Sequence, residues 1–229
     1  MTIKGLQKLT LLDFPGTLAA TVFLGGCSFR CPFCHNASLV LDRGGEDISE
    51  DELLAFLKKR QGVLEGVCIT GGEPTLHKEL PELIRKIREL GYKVKLDTNG
   101  YQPEALISLC DSGLVDYVAM DIKASKENYK RVSGIDSFDI SKIERSIDYL
   151  INNFPAHEFR TTVVRELHTP SDIVAISEWL KGESRYYIQS FIDSGDILED
   201  GLSAYSREEL EAILTEVKIN LPNASLRGI

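Results

Sequence analysis

The sequence has no excess of positive charge and no long apolar run, and each absence excludes a class of protein. Lys and Arg number 26 against 35 Asp and Glu, so the 229 residues carry a net charge of −9. Nucleic-acid binding, which leaves a basic footprint, is therefore not expected. No apolar stretch reaches the roughly 18 residues of a membrane span, so we expect no membrane association. Asp13 and Pro15 interrupt the N-terminal segment, which does not resemble a signal peptide.

Cysteine is also scarce. The five cysteines are an odd number, which does not suit the disulfide framework of a secreted protein, and we expect a cytoplasmic, reducing compartment. Cys68 and Cys110 stand alone in apolar segments, where a small buried hydrophobic role is expected. The other three are clustered within eight residues.

Apolar, β-branched runs alternate with amphipathic helical segments, which indicates parallel βα units. The predicted strands are 18–24, 65–70, 92–97, 115–121, 158–164 and 185–191. The predicted helices are 49–60, 77–90, 103–111, 140–152, 171–181 and 206–218. This order predicts an α/β fold, a partial (β/α)6 TIM-like barrel, with a doubly wound sheet as the alternative. We expect a single domain over 1–229, with a core of about 17–191 and a C-terminal helical extension of about 203–229.

Polar segments follow five of the predicted strands. They are the cysteine loop and the segments 71–74, 97–100, 121–123 and 165–168. The carboxyl ends of parallel strands build the active site in α/β folds. We therefore expect the five segments to converge on one mouth.

The cysteine loop reads GCSFRCPFCHN and places Cys27, Cys31 and Cys34 in a C-x3-C-x2-C spacing. A closed structural zinc site needs four ligands, and His35, next to Cys34, cannot easily reach the same metal. Thiolates are also the usual ligands of iron–sulfur clusters. Three of them leave one iron open for a small chelating ligand, such as the amine and carboxylate of an amino acid. Zinc remains the alternative.

The same residues resemble a known family. C-x3-C-x2-C with Phe33 before the third cysteine, followed by GGEP at 71–74, resembles the radical S-adenosylmethionine (SAM) superfamily. LLDFPG, FLGGCSFRCPFCHN, DTNG and MDIK are similar in particular to the activating enzymes of glycyl-radical enzymes, above all those of anaerobic ribonucleoside-triphosphate reductase in the form that resembles pyruvate formate-lyase activase. The resemblance extends over about residues 5–125 and implies an oxidoreductase.

The resemblance implies a [4Fe-4S] cluster whose open iron is chelated by S-adenosyl-L-methionine. One electron, from flavodoxin or ferredoxin, would break the sulfonium C–S bond and give methionine and a 5′-deoxyadenosyl radical. The radical would take the α-hydrogen of a glycine in a glycyl-radical enzyme. The alternatives are a pyruvate formate-lyase-type activase, a radical SAM enzyme acting on a small molecule, and a zinc or iron–sulfur module without catalysis.

The resemblance also implies the site residues. The three cysteines of the loop would ligate the cluster, and no side chain is assigned as catalytic, since the cluster and SAM carry the chemistry. Phe33 and His35 would lie near the adenosyl group. Gly71 and Gly72 would let the backbone approach the methionine amine, and Glu73 would fix that stretch. Asp97, Thr98 and Asn99 would line the barrel beside the cofactor, and Asp121 and Lys123 would contact its methionyl or ribose part. The other interpretations are a turn followed by a helix N-terminus with Pro74 at N1 for the segment 71–74, a strand-ending turn for the segment 97–100, and a rim ion pair for Asp121 and Lys123.

One departure concerns the late-barrel His that contacts the cofactor in pyruvate formate-lyase activases. The segment IQSFIDSGDIL has no His, so Gln189 or Phe191 is expected to replace it. Arg160 is expected to face inward, whereas His168 fits a surface loop equally well. The segment 12–16 is interpreted as a guide for the partner's glycine loop or as a turn before the first strand.

Overall fold

The computed structural model describes residues 1–41 and 47–228. The strands of this part are β1 (Ile3–Thr10), β2 (Ala19–Leu24), β3 (Gly66–Gly71), β4 (Lys93–Thr98), β5 (Tyr117–Asp121), β6 (His157–Val163), β7 (Arg185–Ser190) and β8 (Ala224–Arg227). The helices are α1 (Ala37–Val40), α2 (Glu50–Lys59), α3 (Leu80–Glu89), α4 (Pro103–Asp111), α5 (Tyr129–Ser133), α6 (Ile140–Asn153), α7 (Pro170–Leu180) and α8 (Arg207–Val217), and a 3-10 turn spans Pro74–Leu76. None of these helices is long and apolar enough to cross a bilayer.

Side chains at the helix starts explain where several helices begin. Capping boxes open α2, α7 and α8, with Ser49, Thr169 and Ser206 as the capping residues. In each box the hydroxyl accepts a hydrogen bond from the backbone N–H three residues on, and the acidic side chain at that position accepts from the cap's own N–H. The predicted starts of α2 and α8, which depended on this signature, are confirmed.

Contacts divide the chain into two compact units, and the first comprises Met1–Ser28 and Ser38–Ala119. In this unit β1 pairs antiparallel with β2, while β2 and β3 pair in parallel, as do β3 and β4. The core residues Val22, Ile69 and Leu96 are fully buried on these three parallel strands. Parallel strands covered on both faces need such continuous apolar runs.

The second unit comprises Phe29–Ala37 and Met120–Ile229. Here β6, β7 and β8 pair in parallel, in that order. Phe159, Tyr186 and Ile188 are fully buried on β6 and β7. Both units are therefore built from parallel strands and helices, as the alternating pattern predicts.

The six predicted strands are present as β2 to β7, each within two residues of its predicted bounds, and the six predicted helices lie within three residues of theirs. The sequence did not indicate β1 or β8. In β1 the apolar residues Ile3, Leu6 and Leu9 recur at every third position instead of every second, and β8 has four residues, too few for a period. The predicted C-terminal extension of about 203–229 contains α8 and also β8, which pairs with β7. Ile229 lies outside the described residues, and the domain limits remain a prediction.

The cap of α8 offers a test of these helix starts. Ser206→Ala removes the hydroxyl that accepts from Glu209 N at 3.2 Å, so we expect the free energy of unfolding to fall by about 1 kcal/mol. Urea denaturation measures the change. Ser206→Asp keeps a capping oxygen and should stay close to the wild type; equal stability of the Ala and Asp variants would contradict this role.

Candidate functional site

The loop that carries the first cysteine is in tight contact with the turn after β3. Gly72 N donates to Leu24 O at 2.8 Å, and Glu73 N donates to Gly26 O at 2.8 Å. A Cβ on Gly72 would lie 1.9 Å from Gly26 O, and one on Gly71, whose φ is +114°, would lie 2.4 Å from Leu24 O. Only glycine permits this approach of two backbones. The pair of glycines therefore positions the segment before Cys27.

Glu73 is the buried anchor of the same turn. Its side chain is 0% exposed. Its carboxylate accepts hydrogen bonds from Thr75 N at 3.1 Å, Thr98 Oγ1 at 2.7 Å and Asn99 N at 2.6 Å. Burial raises the pKa of Glu73 above its ordinary value, and these hydrogen bonds oppose the shift. The carboxylate thus joins the segments after β3 and β4, two of those predicted to converge.

Asn99 extends this network to the first cysteine. Its Oδ1 accepts from Tyr101 N at 2.9 Å, which turns its Nδ2 toward Cys27. The distance from Nδ2 to Cys27 Sγ is 3.8 Å. Asn99 therefore meets the predicted metal ligand directly, while Thr98 contacts Glu73.

Asp97 pairs with a lysine that the sequence analysis missed. Lys95 is 1% exposed and forms an ion pair with Asp97. Cys68 Sγ lies 3.8 Å from Asp97 Oδ1 and 3.9 Å from Lys95 Nζ. Lys95 and Asp97 are two residues apart on one strand, so their side chains lie on the same face of the sheet. The same spacing indicated the pair Asp121 and Lys123, and it could have identified Lys95. The expected burial of Cys68 and Cys110 is confirmed.

In the second unit Asp121 lies between two cations. Arg160 Nε is 2.8 Å from Asp121 Oδ1, and Lys123 Nζ is 3.0 Å from Asp121 Oδ2. Burial opposes ionisation of Asp121, but Arg160 and then Lys123 overcome it and hold its pKa well below the usual range. Arg160 was expected to face inward, and its partner there is Asp121.

Lys123 also faces the second and third cysteines. Burial alone would lower the pKa of Lys123, but Asp121, and then Cys31 and Cys34, raise it above its usual range. Cys34 N donates to Cys31 O at 3.0 Å, which closes the turn between the two thiols. None of the three cysteines of the motif takes part in a disulfide. Lys123 therefore places a positive charge beside two cysteines of the motif.

The aromatic residues of the cysteine loop pack on side chains from later in the chain. Phe33 lies edge-on to His168, with 5.9 Å between ring centroids, and His35 stacks on Phe191 at 5.5 Å. Burial lowers the pKa of His35, and Lys123 adds to the shift, so this imidazole is neutral near pH 7. Of the two candidates for the missing late His, Phe191 stacks on His35, a predicted site residue.

His168 is buried, not a surface loop residue. It is 1% exposed, Nε2 lies 2.8 Å from Lys123 O, and Nδ1 accepts from Val164 N at 3.0 Å. The surface alternative for His168 is therefore wrong, because its ring satisfies two buried backbone groups. One of these belongs to Lys123, so His168 supports that residue.

Comparisons with known proteins found a matching family and related sequences. The family model described as the Radical SAM superfamily matches residues 21–180. A protein of Methanocaldococcus jannaschii, named as a candidate glycyl-radical enzyme activating enzyme, is 36% identical over 197 residues, which cover 82% of this chain and 79% of the relative. A candidate GTP 3′,8-cyclase of Saccharolobus islandicus is 34% identical over 128 residues, which cover 53% of this chain and 41% of the relative.

Solved structures share the fold at low sequence identity. A radical SAM methyltransferase from Sphaerobacter thermophilus has a TM-score of 0.73 at 14% identity, covering 96% of this chain and 68% of that one. Streptococcus suis SuiB bound to the precursor peptide SuiA has a TM-score of 0.67 at 17% identity, covering 91% and 48%. These likenesses concern the fold alone. They confirm the predicted α/β class, a partial TIM-like barrel.

The contact between the two glycine-containing loops can be tested by adding one methyl group. In Gly72→Ala the new Cβ would overlap Gly26 O, so we expect the free energy of unfolding to fall by about 1–3 kcal/mol. Urea denaturation measures the loss. Gly5→Ala is the matched control, since its Cβ would lie an ordinary 3.4 Å from Phe23 Cδ2. Equal effects of the two substitutions would refute the close approach.

The Glu73 network can be tested with an isosteric change. Glu73→Gln replaces one acceptor oxygen with an NH2 group that faces other donors, so we expect a loss of about 1–3 kcal/mol in the free energy of unfolding. The exposed Glu89 provides the control Glu89→Gln, which should change stability by less than about 0.5 kcal/mol. A Glu73→Gln protein as stable as the wild type would show that the carboxylate is not needed.

Proposed function

Since the chain belongs to the radical SAM superfamily, we propose that it is the activating enzyme of a glycyl-radical enzyme. Members of this family are enzymes that use a [4Fe-4S] cluster and S-adenosylmethionine, and this chain is one of them. The proposed reaction removes one α-hydrogen from a backbone glycine of the partner protein. The observation that carries the proposal is the 36% identity, over most of both chains, to the relative named for this activity.

The three thiols of the motif fit a cluster. They form no disulfide, Cys27 has the Asn99 amide beside it, and Lys123 places a positive charge by Cys31 and Cys34. In the described residues no three His, Cys, Asp or Glu side chains converge on a position for one metal ion. A cuboidal cluster needs no such convergence, because each thiolate binds a different iron. We therefore assign these three cysteines as the cluster ligands.

When bound, the cluster and SAM supply a carbon-centred radical that abstracts a hydrogen atom. The chain's own residues bind and orient the cofactor. Asp121 and Lys123 offer charges opposite to the ammonium and carboxylate of a methionine end, and Arg160 keeps Asp121 ionised. His35, stacked on Phe191, presents a neutral aromatic face suited to an adenine ring.

The segment after β3 and the segment after β4 would complete the cofactor site. The backbone of Gly71 and Gly72 would approach the methionine amine, on a turn that the buried carboxylate of Glu73 holds in place. Asp97 would line the site from β4, with Lys95 as its ion-pair partner. Hydrogen-atom transfer depends on position, so rigid supports of this kind serve the reaction better than a general base.

An exposed apolar segment supports a protein substrate. Leu9, Leu11 and Leu12 are 54%, 73% and 86% exposed. The turn that presents them is ordered, since Thr10 Oγ1 accepts from the backbone N–H groups of Leu12 and Asp13 at 3.2 Å each. Clustered apolar side chains on an ordered surface suit a protein contact. We propose that this turn contacts the glycyl-radical enzyme, with anaerobic ribonucleoside-triphosphate reductase as the partner and flavodoxin or ferredoxin as the electron donor.

Loss of one ligand tests the cluster assignment. Anaerobically reconstituted wild-type protein should hold about four irons per chain and cleave S-adenosylmethionine when reduced. Cys31→Ala should lose both properties, because an iron loses its thiolate. Cys110→Ala is the matched control: this buried thiol, whose pKa burial raises to about 12, lies outside the motif and should be dispensable. Cleavage by Cys31→Ala would refute the assignment.

The partner is tested by electron paramagnetic resonance. A glycyl-radical doublet should form when the reconstituted enzyme, SAM and a reductant are incubated with anaerobic ribonucleoside-triphosphate reductase. A doublet only with pyruvate formate-lyase would instead support the second type of activase. SAM cleavage without a doublet in any glycyl-radical enzyme would favour a small-molecule substrate, as the name of the cyclase relative suggests.

A further inference from the structure

The hydroxyl of Ser28, directly after Cys27, is buried without a partner. Among the side-chain nitrogen and oxygen atoms of the described residues, Ser28 Oγ alone is buried and makes no hydrogen bond. A buried hydroxyl in this state costs about 1–3 kcal/mol. Such an atom in a native protein calls for an explanation, and a bound group that accepts the hydrogen bond is one.

The backbone before Ser28 is held in place. Gly25 N donates to Thr2 O at 3.0 Å, and Gly26 N donates to Leu39 O at 2.9 Å. Gly26 O in turn accepts from Glu73 N at 2.8 Å. These three hydrogen bonds restrain the loop, and they therefore also restrain the position of the buried Ser28 hydroxyl.

A second donor already faces Cys27. The Nδ2 of Asn99 lies 3.8 Å from Cys27 Sγ, within reach of a hydrogen bond to sulfur. Its orientation is determined at two points, where Asn99 N donates to Glu73 and Asn99 Oδ1 accepts from Tyr101 N. Cys27 therefore has the oriented amide of Asn99 as a hydrogen-bond donor. The next residue, Ser28, carries a buried hydroxyl that has no acceptor.

We propose that Ser28 Oγ donates a hydrogen bond to a sulfur at the Cys27 corner of the iron–sulfur cluster and, together with Asn99, raises the cluster's reduction potential. This inference rests on the proposed function, which supplies the cluster. Reduction adds negative charge that is shared by the sulfurs, so a donor stabilises the reduced form more than the oxidised form. Ser28 is thus a positioning and tuning residue, with no role in hydrogen-atom transfer.

An anaerobic redox titration of the cluster, without SAM, tests the proposal. The signal is the electron paramagnetic resonance of the reduced cluster in the reconstituted full chain. For Ser28→Ala we expect the ratio of reduced to oxidised cluster at a fixed potential to fall about tenfold, which for one electron equals a midpoint lower by about 59 mV. The wild type should also show an exchangeable proton coupled to the reduced cluster. This proton signal should be absent in Ser28→Ala.

Matched variants separate the hydroxyl from packing. Ser28→Thr keeps the hydroxyl and Ser28→Val replaces it with a methyl group of the same shape, so the Val variant alone should show the lower midpoint. If Ser28→Ala fails to assemble a cluster, the Thr and Val variants still show whether the hydroxyl affects the midpoint potential. Ser133→Ala is the control, since it removes a buried hydroxyl bonded to Lys130 O at 3.1 Å, and it should leave the midpoint unchanged.

Three outcomes would overturn the proposal. Equal midpoints in the Thr and Val variants would show that the hydroxyl does not act on the cluster. A difference that arises only after SAM is added would assign the hydroxyl to the cofactor instead. A wild-type protein that binds no iron would remove the proposed function itself, whereas an intact cluster with an unchanged midpoint would remove only this inference.

Discussion

The buried carboxylate of Glu73 is the interaction on which the first unit's part of the site depends. A carboxylate removed from water is costly unless donors surround it, and Glu73 receives hydrogen bonds from Thr75, Thr98 and Asn99. These bonds join the turn after β3 to the turn after β4. Because Asn99 is positioned in this way, its amide meets Cys27. The surroundings of Cys27, the proposed first cluster ligand, thus depend on one buried acid.

A charge cluster plays the corresponding part in the second unit. Asp121 is shared by Arg160 and Lys123, and the backbone carbonyl of Lys123 is satisfied by His168. Lys123 is consequently an oriented cation beside Cys31 and Cys34. The proposed function uses this cation as the group that meets the carboxylate at the methionine end of the cofactor.

Much of this could be predicted from the sequence, and the failures have physical reasons. Strand ends and helix caps depend on residues that are adjacent in the sequence. For this reason β2 to β7 and the starts of α2 and α8 were predicted correctly. β8 was missed because its four residues acquire a strand conformation only by pairing with β7. Lys95 was missed because a lysine within a strand is usually exposed, and only Asp97 makes its burial tolerable. The burial of His168 likewise depends on a distant carbonyl.

The sequence by itself determined the number, type and spacing of the thiols, the glycine pair and the strand ends that carry the polar segments, because each is a property of a short stretch of chain. Only the tertiary structure decided which groups meet them. Asn99 at Cys27, Arg160 at Asp121, Phe191 at His35 and the unpartnered hydroxyl of Ser28 all arise from contacts, or their absence, between residues far apart in sequence. No local pattern encodes such contacts, because packing and burial bring together segments that the chain keeps apart.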